Sequence, residues 1–386
     1  MNIEIITVLA FLAIMIIVIF KDRKNFEFKS GLILRRSTKG KEFIYRFAEK
    51  NEKALKILGT VGIIIGILAS FYGSYLLFKS TFDIFSSKTK ESTLRLVLPS
   101  VEGVNMPGFV LGVPFWYWII AVFVVMFIHE PMHAFLARAE KIDVKSFGLL
   151  LFIILPGAFV EPNERQLKRK PLVSKLRVFA AGSFGNILAA GIMILLILGF
   201  NKIVSAFINP AGIGFESLIA GSYAEAAELN GLIVKINGID VKTLGDLSNA
   251  MKDVNPGDEI QVTTTKGTYN IKTISDPENE QRALIGIQKP YVEYVSISNK
   301  PVSKNTISVI EWFDGLFAWI FILNLGVGVF NLFPLKPLDG GLMMEAITQH
   351  FFKDKGKTIA NYISVLFLLL ILFNLFGPKM LTLLKI

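Results

Sequence analysis

Six stretches of this 386-residue chain are apolar over about the length that a bilayer demands, and that leaves one architecture for most of it. They are roughly Ile3–Phe20, Ile57–Phe78, Phe115–Ala137, Leu176–Phe200, Leu316–Phe333 and Ile359–Phe376. Hydrocarbon offers no water to a backbone N–H or C=O, so a segment of this kind crosses as a helix that satisfies its own backbone. Composition agrees: 52% of residues are hydrophobic and 19% charged, against about 25% charged in soluble proteins. The expected fold is a polytopic α-helical membrane protein of about six transmembrane helices, with room for one inserted α+β module. A shorter apolar piece, Phe147 to Val160, is interrupted by Pro156-Gly157 and reads as a re-entrant or membrane-surface hairpin. Ile3–Phe20 lacks a basic leader and a small-residue cleavage site, so it reads as a span that stays.

The net charge of +10 raises nucleic acid as a partner, but the basic residues cluster beside the apolar spans, which points to the lipid bilayer and away from nucleic acid. Lysine and arginine also choose the inner side. Lys21 to Lys56 holds 12 basic and 5 acidic residues, and Ala137 to Arg177 holds 9 and 4. Lys79 to Gly112 holds 4 and 3, and Asn201 to Lys300 holds 9 and 12. The alternation predicts an extracytoplasmic N-terminus, cytoplasmic first and third connections, and an extracytoplasmic 201–300 segment in a protein integral to the plasma membrane. There is no cysteine, so metal ligands must come from His, Asp and Glu.

Two of the three histidines sit four residues apart inside the third apolar stretch, in His129-Glu130-Pro131-Met132-His133. On a helix both imidazoles share a face and can bind one metal ion, and the glutamate between them can act as general base. Ionisable groups at membrane depth are costly and suggest function. His133 lies five residues before Arg138, about 7–8 Å below the charged boundary at the helical rise. Pro131 removes a backbone donor and crowds the Phe127 carbonyl, so it predicts a local kink or a tolerated irregularity. A catalytic zinc commonly takes three protein ligands and leaves a fourth position open. A third histidine six residues after His133 is excluded, because that position is Ala139. Glu161 and Glu164 are options; His350 reads mainly as a surface residue. The strongest candidate is Asp339, in Asn331-Leu332-Phe333-Pro334-Leu335-Lys336-Pro337-Leu338-Asp339-Gly340-Gly341, at the same end of its span as the histidines.

His129-Glu130-x-x-His133 followed by Asn331-x-x-Pro334-x-x-x-Leu338-Asp339-Gly340 resembles the site-2 protease family of intramembrane zinc metalloproteases. Pro156-Gly157-Ala158-Phe159-Val160-Glu161-Pro162 is similar to the family's membrane-embedded loop. Ala181-Gly182-Ser183-Phe184-Gly185-Asn186 is similar to its Gly-x-x-x-Asn stretch. The resemblance implies that His129, His133 and Asp339 bind Zn2+ and that Glu130 is the base and proton shuttle. It gives Asn186 a place holding substrate or the oxyanion. Pro131 and Lys336 depart from the family pattern without touching an implied ligand.

The 211–290 segment is different in kind. Leu232 to Gly238 reads as a strand entering a turn, Glu259–Thr265 and Thr268–Thr273 as two strands on a tight turn, and Tyr223–Leu229 and Leu244–Val254 as helices. The run from Gly221 to Gly238 resembles a PDZ-like domain of bacterial type, with Gly214-Phe215 near its carboxylate-binding loop. Such a domain implies a peptide or substrate tail as partner, bound by strand addition, or a steric filter. The resulting organisation is 1–112, two N-terminal helices with a basic loop; 113–200, core helices with the hairpin; 211–290, the PDZ-like domain; 306–345, a core helix ending in Leu-Asp-Gly; and 357–386, a last helix. The implied reaction is hydrolysis of a peptide bond in or near the transmembrane segment of single-span membrane protein substrates. The alternatives are a membrane protease of the Glu-ligand H-E-x-x-H class and a non-enzymatic, metal-binding, PDZ-bearing membrane protein.

Overall fold

A computed structural model describes residues 3–29, 32–38, 40–86, 94–101, 106–152, 155–277 and 279–384. The chain divides into two compact units, Met1–Leu196 with Gly315–Ile386, and Ile197–Asp314.

The first unit opens with α1 (Ile3–Lys21), then β1 (Phe26–Lys29), β2 (Leu32–Ser37), a short α2 (Lys41–Lys50) and a long α3 (Glu52–Phe85). A parallel pair, β3 (Leu96–Ser100) and β4 (Val110–Pro114), leads into α4 (Phe115–Ala139). Then come β5 (Val144–Phe152), β6 (Leu155–Pro162), α5 (Glu164–Lys168) and α6 (Leu172–Phe207). Among the described residues, six helical segments are long and apolar enough to cross a membrane, matching the six apolar stretches. The protein is an integral membrane protein. α4 runs through Pro131 as one helix, so the hydrogen bond lost there does not end it.

The apolar hairpin expected over 147–160 is built from β5 and β6; residues 153–154 at its tip lie outside the described residues. The hairpin does not stand alone. Arg35 of β2 faces Leu149 of β5 in an antiparallel ladder, and the sheet runs β1-β2-β5-β6. The basic loop after α1 thus supplies two strands that the charge-rich sequence did not suggest. Their edge pairing is satisfied across more than a hundred residues of sequence.

α3 packs through a stripe of glycines. A Cβ at Gly59 would meet Leu136 and Arg177, one at Gly62 would meet Phe184, and one at Gly73 would meet Phe333. Lipid gives apolar side chains no reason to leave it, so helices gain by close backbone approach, and small residues permit that. Below the stripe a polar network ties three helices: Arg177 Nη1 donates to Glu140 at 2.7 Å, Ser174 Oγ to Glu140 at 2.6 Å, and Arg177 Nε to Thr60 at 3.0 Å. Ala134, Leu136 and Ala137 of α4 share a buried core with Val144 of β5 and with Val178 and Ala181 of α6.

In the second unit the described strands are β7 (Ile208–Leu218), β8 (Ile233–Ile236), β9 (Ile239–Asp240), β10 (Glu259–Thr264), β11 (Thr268–Lys272), β12 (Ile274–Asp276), β13 (Asn279–Leu284) and β14 (Ile287–Ser296). Helices α7 (Tyr223–Ala226) and α8 (Leu244–Ala250) lie between them in sequence. The main sheet is ordered β11-β10-β8-β7-β14, with β9 paired to β8. Asn237 and Gly238 both take positive φ, as the two-residue turn from β8 to β9 requires. Thr243 and Asp246 form a capping box at the start of α8. Ile213, Ile233, Ile236, Ile260, Val262 and Ile271 fill the core. Gly214 and Phe215, expected near the carboxylate-binding loop of a PDZ-like domain, lie on β7 opposite Tyr291 and Pro290. The missing Gly214 side chain admits the Tyr291 ring.

The chain returns through α9 (Lys304–Phe330), α10 (Asp339–Phe352) and α11 (Gly356–Leu384). Leu-Asp-Gly does not end a helix, as the sequence suggested; Leu338 caps α10 and Asp339 begins it. Pro334 and Pro337 keep the preceding segment non-helical, and a carboxylate is favoured in a first helical turn.

Ile236→Ala in the full chain should cost about 2–5 kcal/mol through the cavity it leaves. Hydrogen exchange in detergent should show amide protection falling in β8 and β10, with α4 and α6 unchanged.

Candidate metal centre and active site

His129 and His133 stand one turn apart on α4, with ring centroids 4.8 Å apart and Nε2 atoms 3.2 Å apart. Asp339 arrives from the start of α10. Its Oδ2 lies 3.4 Å from His129 Nε2 and its Oδ1 3.4 Å from His133 Nε2. All three side chains are 15% exposed or less. Among the described residues this is the one group of three His, Cys, Asp or Glu side chains whose ligand atoms converge, within 4.8 Å of one another.

The surroundings decide which atoms face inward. His133 Nδ1 lies 2.7 Å from the Val178 carbonyl of α6. A carbonyl only accepts, so Nδ1 carries the proton and the neutral ring turns a lone pair at Nε2 toward the cluster. Two imidazole nitrogens and a carboxylate at these distances, in a low dielectric, repel one another unless a cation or a proton lies among them. Gly182 of α6 leaves that space open. A Cβ there would come within 2.6 Å of His129 Nε2 and would also run into His133 Nε2. Two nitrogens, one oxygen and an unfilled cradle fit a divalent metal ion with a further coordination position free. His129 Nδ1 is buried and has no hydrogen-bond partner among the described residues.

The loop before Asp339 is held by backbone contacts. The Gly340 N–H donates to the Asn331 carbonyl at 2.8 Å. A Cβ on Gly340 would strike the Leu332 carbonyl, and one on Gly341 would strike the Leu335 backbone. Asn331, Gly340 and Gly341 therefore serve the close approach that sets Asp339 against α4. Lys336, the unexpected charge in this loop, is answered by Glu345 of α10 at 2.6 Å. Ser183 Oγ of α6 donates to Asp339 Oδ2 at 2.9 Å.

Glu130 follows His129 on α4, and its carboxyl faces the Val160 backbone amide of β6. Asn186 is fully buried one turn beyond Gly182, and neither amide atom has a hydrogen-bond partner among the described residues. The other ligand options are elsewhere. Glu161 is taken by Arg36, Lys145 and Ser146. Hydrogen bonds from Lys145, and then Ser146, hold its carboxyl below the usual carboxylate range. Glu164 pairs with Lys168 at 3.3 Å on an exposed turn, and His350 is exposed beside Phe351. Asn324 of α9, absent from the candidates above, is buried, donates to the Ile320 carbonyl at 2.8 Å and has no partner for Oδ1 among the described residues. An amide within an apolar span was the available signal.

Residues 117–371, more than half of the chain, match peptidase family M50, the family of the site-2 proteases, and the chain belongs to it. An uncharacterized protein of Methanocaldococcus jannaschii is 25% identical over 254 residues, covering 64% of this chain and 62% of that protein. The regulator of sigma-W protease RasP of Bacillus subtilis is 26% identical over 269 residues, covering 57% of this chain and 63% of RasP. The chain thus spans somewhat less than two thirds of the length of these relatives.

Gly182→Ala should fold, because alanine gains about 1 kcal/mol over glycine in a helix, yet should purify with background metal. Gly191→Ala on the same helix, where a Cβ meets nothing within 4 Å, should keep the metal content of the wild type. Elemental analysis of the detergent-purified proteins checks both.

Proposed function

We propose that this protein is an intramembrane zinc metalloprotease that hydrolyses a peptide bond in or near the transmembrane segment of membrane-anchored substrates. The observation that carries the proposal is the convergence of His129, His133 and Asp339 beside Glu130 inside an apolar helix. Membership of a peptidase family and the protease named among its relatives support it.

His129, His133 and Asp339 would hold Zn2+, which when bound supplies Lewis acidity and makes water acidic enough to attack near neutral pH. Glu130 accepts the proton of the attacking water and returns it to the leaving amine nitrogen. Asn186, with an uncommitted amide, donates to the developing oxyanion. Burial of these groups keeps bulk water from competing for them. The engagement of Glu161 and Glu164 in ion pairs speaks against the Glu-ligand class.

The partners proposed are single-span membrane proteins shortened outside the membrane beforehand. The second unit fits the reading of a PDZ-like domain that binds a peptide or filters substrates. β14 ends its sheet order; Pro301 bridges its outer edge at Val295, and the part of that edge before Tyr294 pairs with no strand among the described residues and can take an added one. The proposed orientation puts the N-terminus and this unit outside the plasma membrane, on the charge asymmetry of the connections.

The test is cleavage of a single-span reporter by the full chain in proteoliposomes. Glu130→Gln should lower the rate by about 10²–10⁴-fold and keep its zinc, whereas Asp339→Ala should lose both and Glu161→Gln neither. Cleavage by Glu130→Gln at the wild-type rate would sink the proposal. Orientation can be read in the same chain, because it has no cysteine of its own. In intact cells a membrane-impermeant maleimide should label Ser298→Cys and not Lys170→Cys.

A further inference from the structure

The two carboxylate oxygens of Asp339 meet different neighbours. Ser183 is fully buried on α6, one residue past the glycine that opens the metal cradle. Its hydroxyl reaches Asp339 Oδ2 at 2.9 Å. An ionised carboxylate only accepts, so the serine is the donor. We infer that Ser183 is a positioning residue for the metal site: by engaging Oδ2 it fixes the carboxylate plane and presents Oδ1 as the donor that Asp339 gives to the ion. The inference rests on the proposed metal site.

Three observations carry it. The hydroxyl is enclosed, so no solvent competes for it. The two carboxylate oxygens are distinguished by their neighbours, Oδ1 facing His133 and Oδ2 facing His129 and Ser183. Asp339 also sits at the first position of a helix whose preceding loop is pinned by the Gly340–Asn331 hydrogen bond. The backbone is therefore set, and the side-chain torsion is the freedom left for a neighbour to remove. A carboxylate tied at one oxygen would favour binding a metal ion through the other. Partners in this position commonly contribute 10–100-fold to metal affinity.

The comparison is between Ser183→Ala and Ser174→Ala in the full, detergent-purified chain. Ser174 lies on the same helix and also donates to a carboxylate, Glu140, at 2.6 Å, away from the metal ligands. It removes the same chemistry and controls for loss of packing. Zinc affinity is measured by chelator competition, and the ligand field by visible absorption after loading with cobalt(II). Ser183→Ala should bind zinc about 10–100-fold more weakly and show an altered cobalt spectrum, while Ser174→Ala matches the wild type in both. Wild-type affinity or an unchanged spectrum in Ser183→Ala overturns the inference and leaves the metal site standing. Equal weakening in Ser174→Ala also overturns it, by reducing the effect to stability. A wild-type chain that binds neither metal removes the proposed site and this inference together.

Discussion

Three lone-pair donors held together in an apolar slab set the terms for the rest of this molecule. His129, His133 and Asp339 come from α4 and α10, and α6 lies against both. Bringing such groups to one point opposes folding, through desolvation and mutual repulsion, until a positive charge joins them. Much of the surrounding architecture maintains that meeting. The Val178 carbonyl chooses the His133 tautomer, Gly182 clears the space, and Gly340 and Gly341 let the loop press close enough for Asp339 to reach.

The helical architecture was legible because the membrane simplifies the code. A long apolar run has one common solution in hydrocarbon, and the six runs each became helix. The histidine pair was legible for a related reason: a polar group at that depth stands out, and four-residue spacing maps directly onto a helix face. Asp339 could be suspected from its place beside an apolar span. Its meeting with α4 depends on the turn geometry of residues 331–338, which local sequence only hints at.

Less legible were the features that depend on distant parts of the chain. β1 and β2 lie in a segment whose charges suggested a solvated loop, and their pairing with the 147–160 hairpin is a long-range ladder without a local signature. Gly214 and Phe215 were placed only by resemblance, near a carboxylate-binding loop; that the glycine accommodates an aromatic ring across a ladder has no local signature. Ser183 and Asn324 were passed over because a lone small polar residue in a span is compatible with many helix contacts. A partner such as Asp339, 156 positions away, is visible only in three dimensions.

The four-stranded sheet has a practical meaning for anyone who wants a smaller version of this protein. The family match begins at residue 117, which invites truncation just before α4. Such a cut would remove β2 and strip β5 of the neighbour it pairs with from Phe147 to Phe152, exposing a row of amides and carbonyls on an apolar ribbon. An unpaired strand of that composition recruits whatever strand it meets, including a second copy of itself. β1 and β2 are thus a cover for the sheet beside the metal helix, and a shortened version would have to carry them or replace them with another edge.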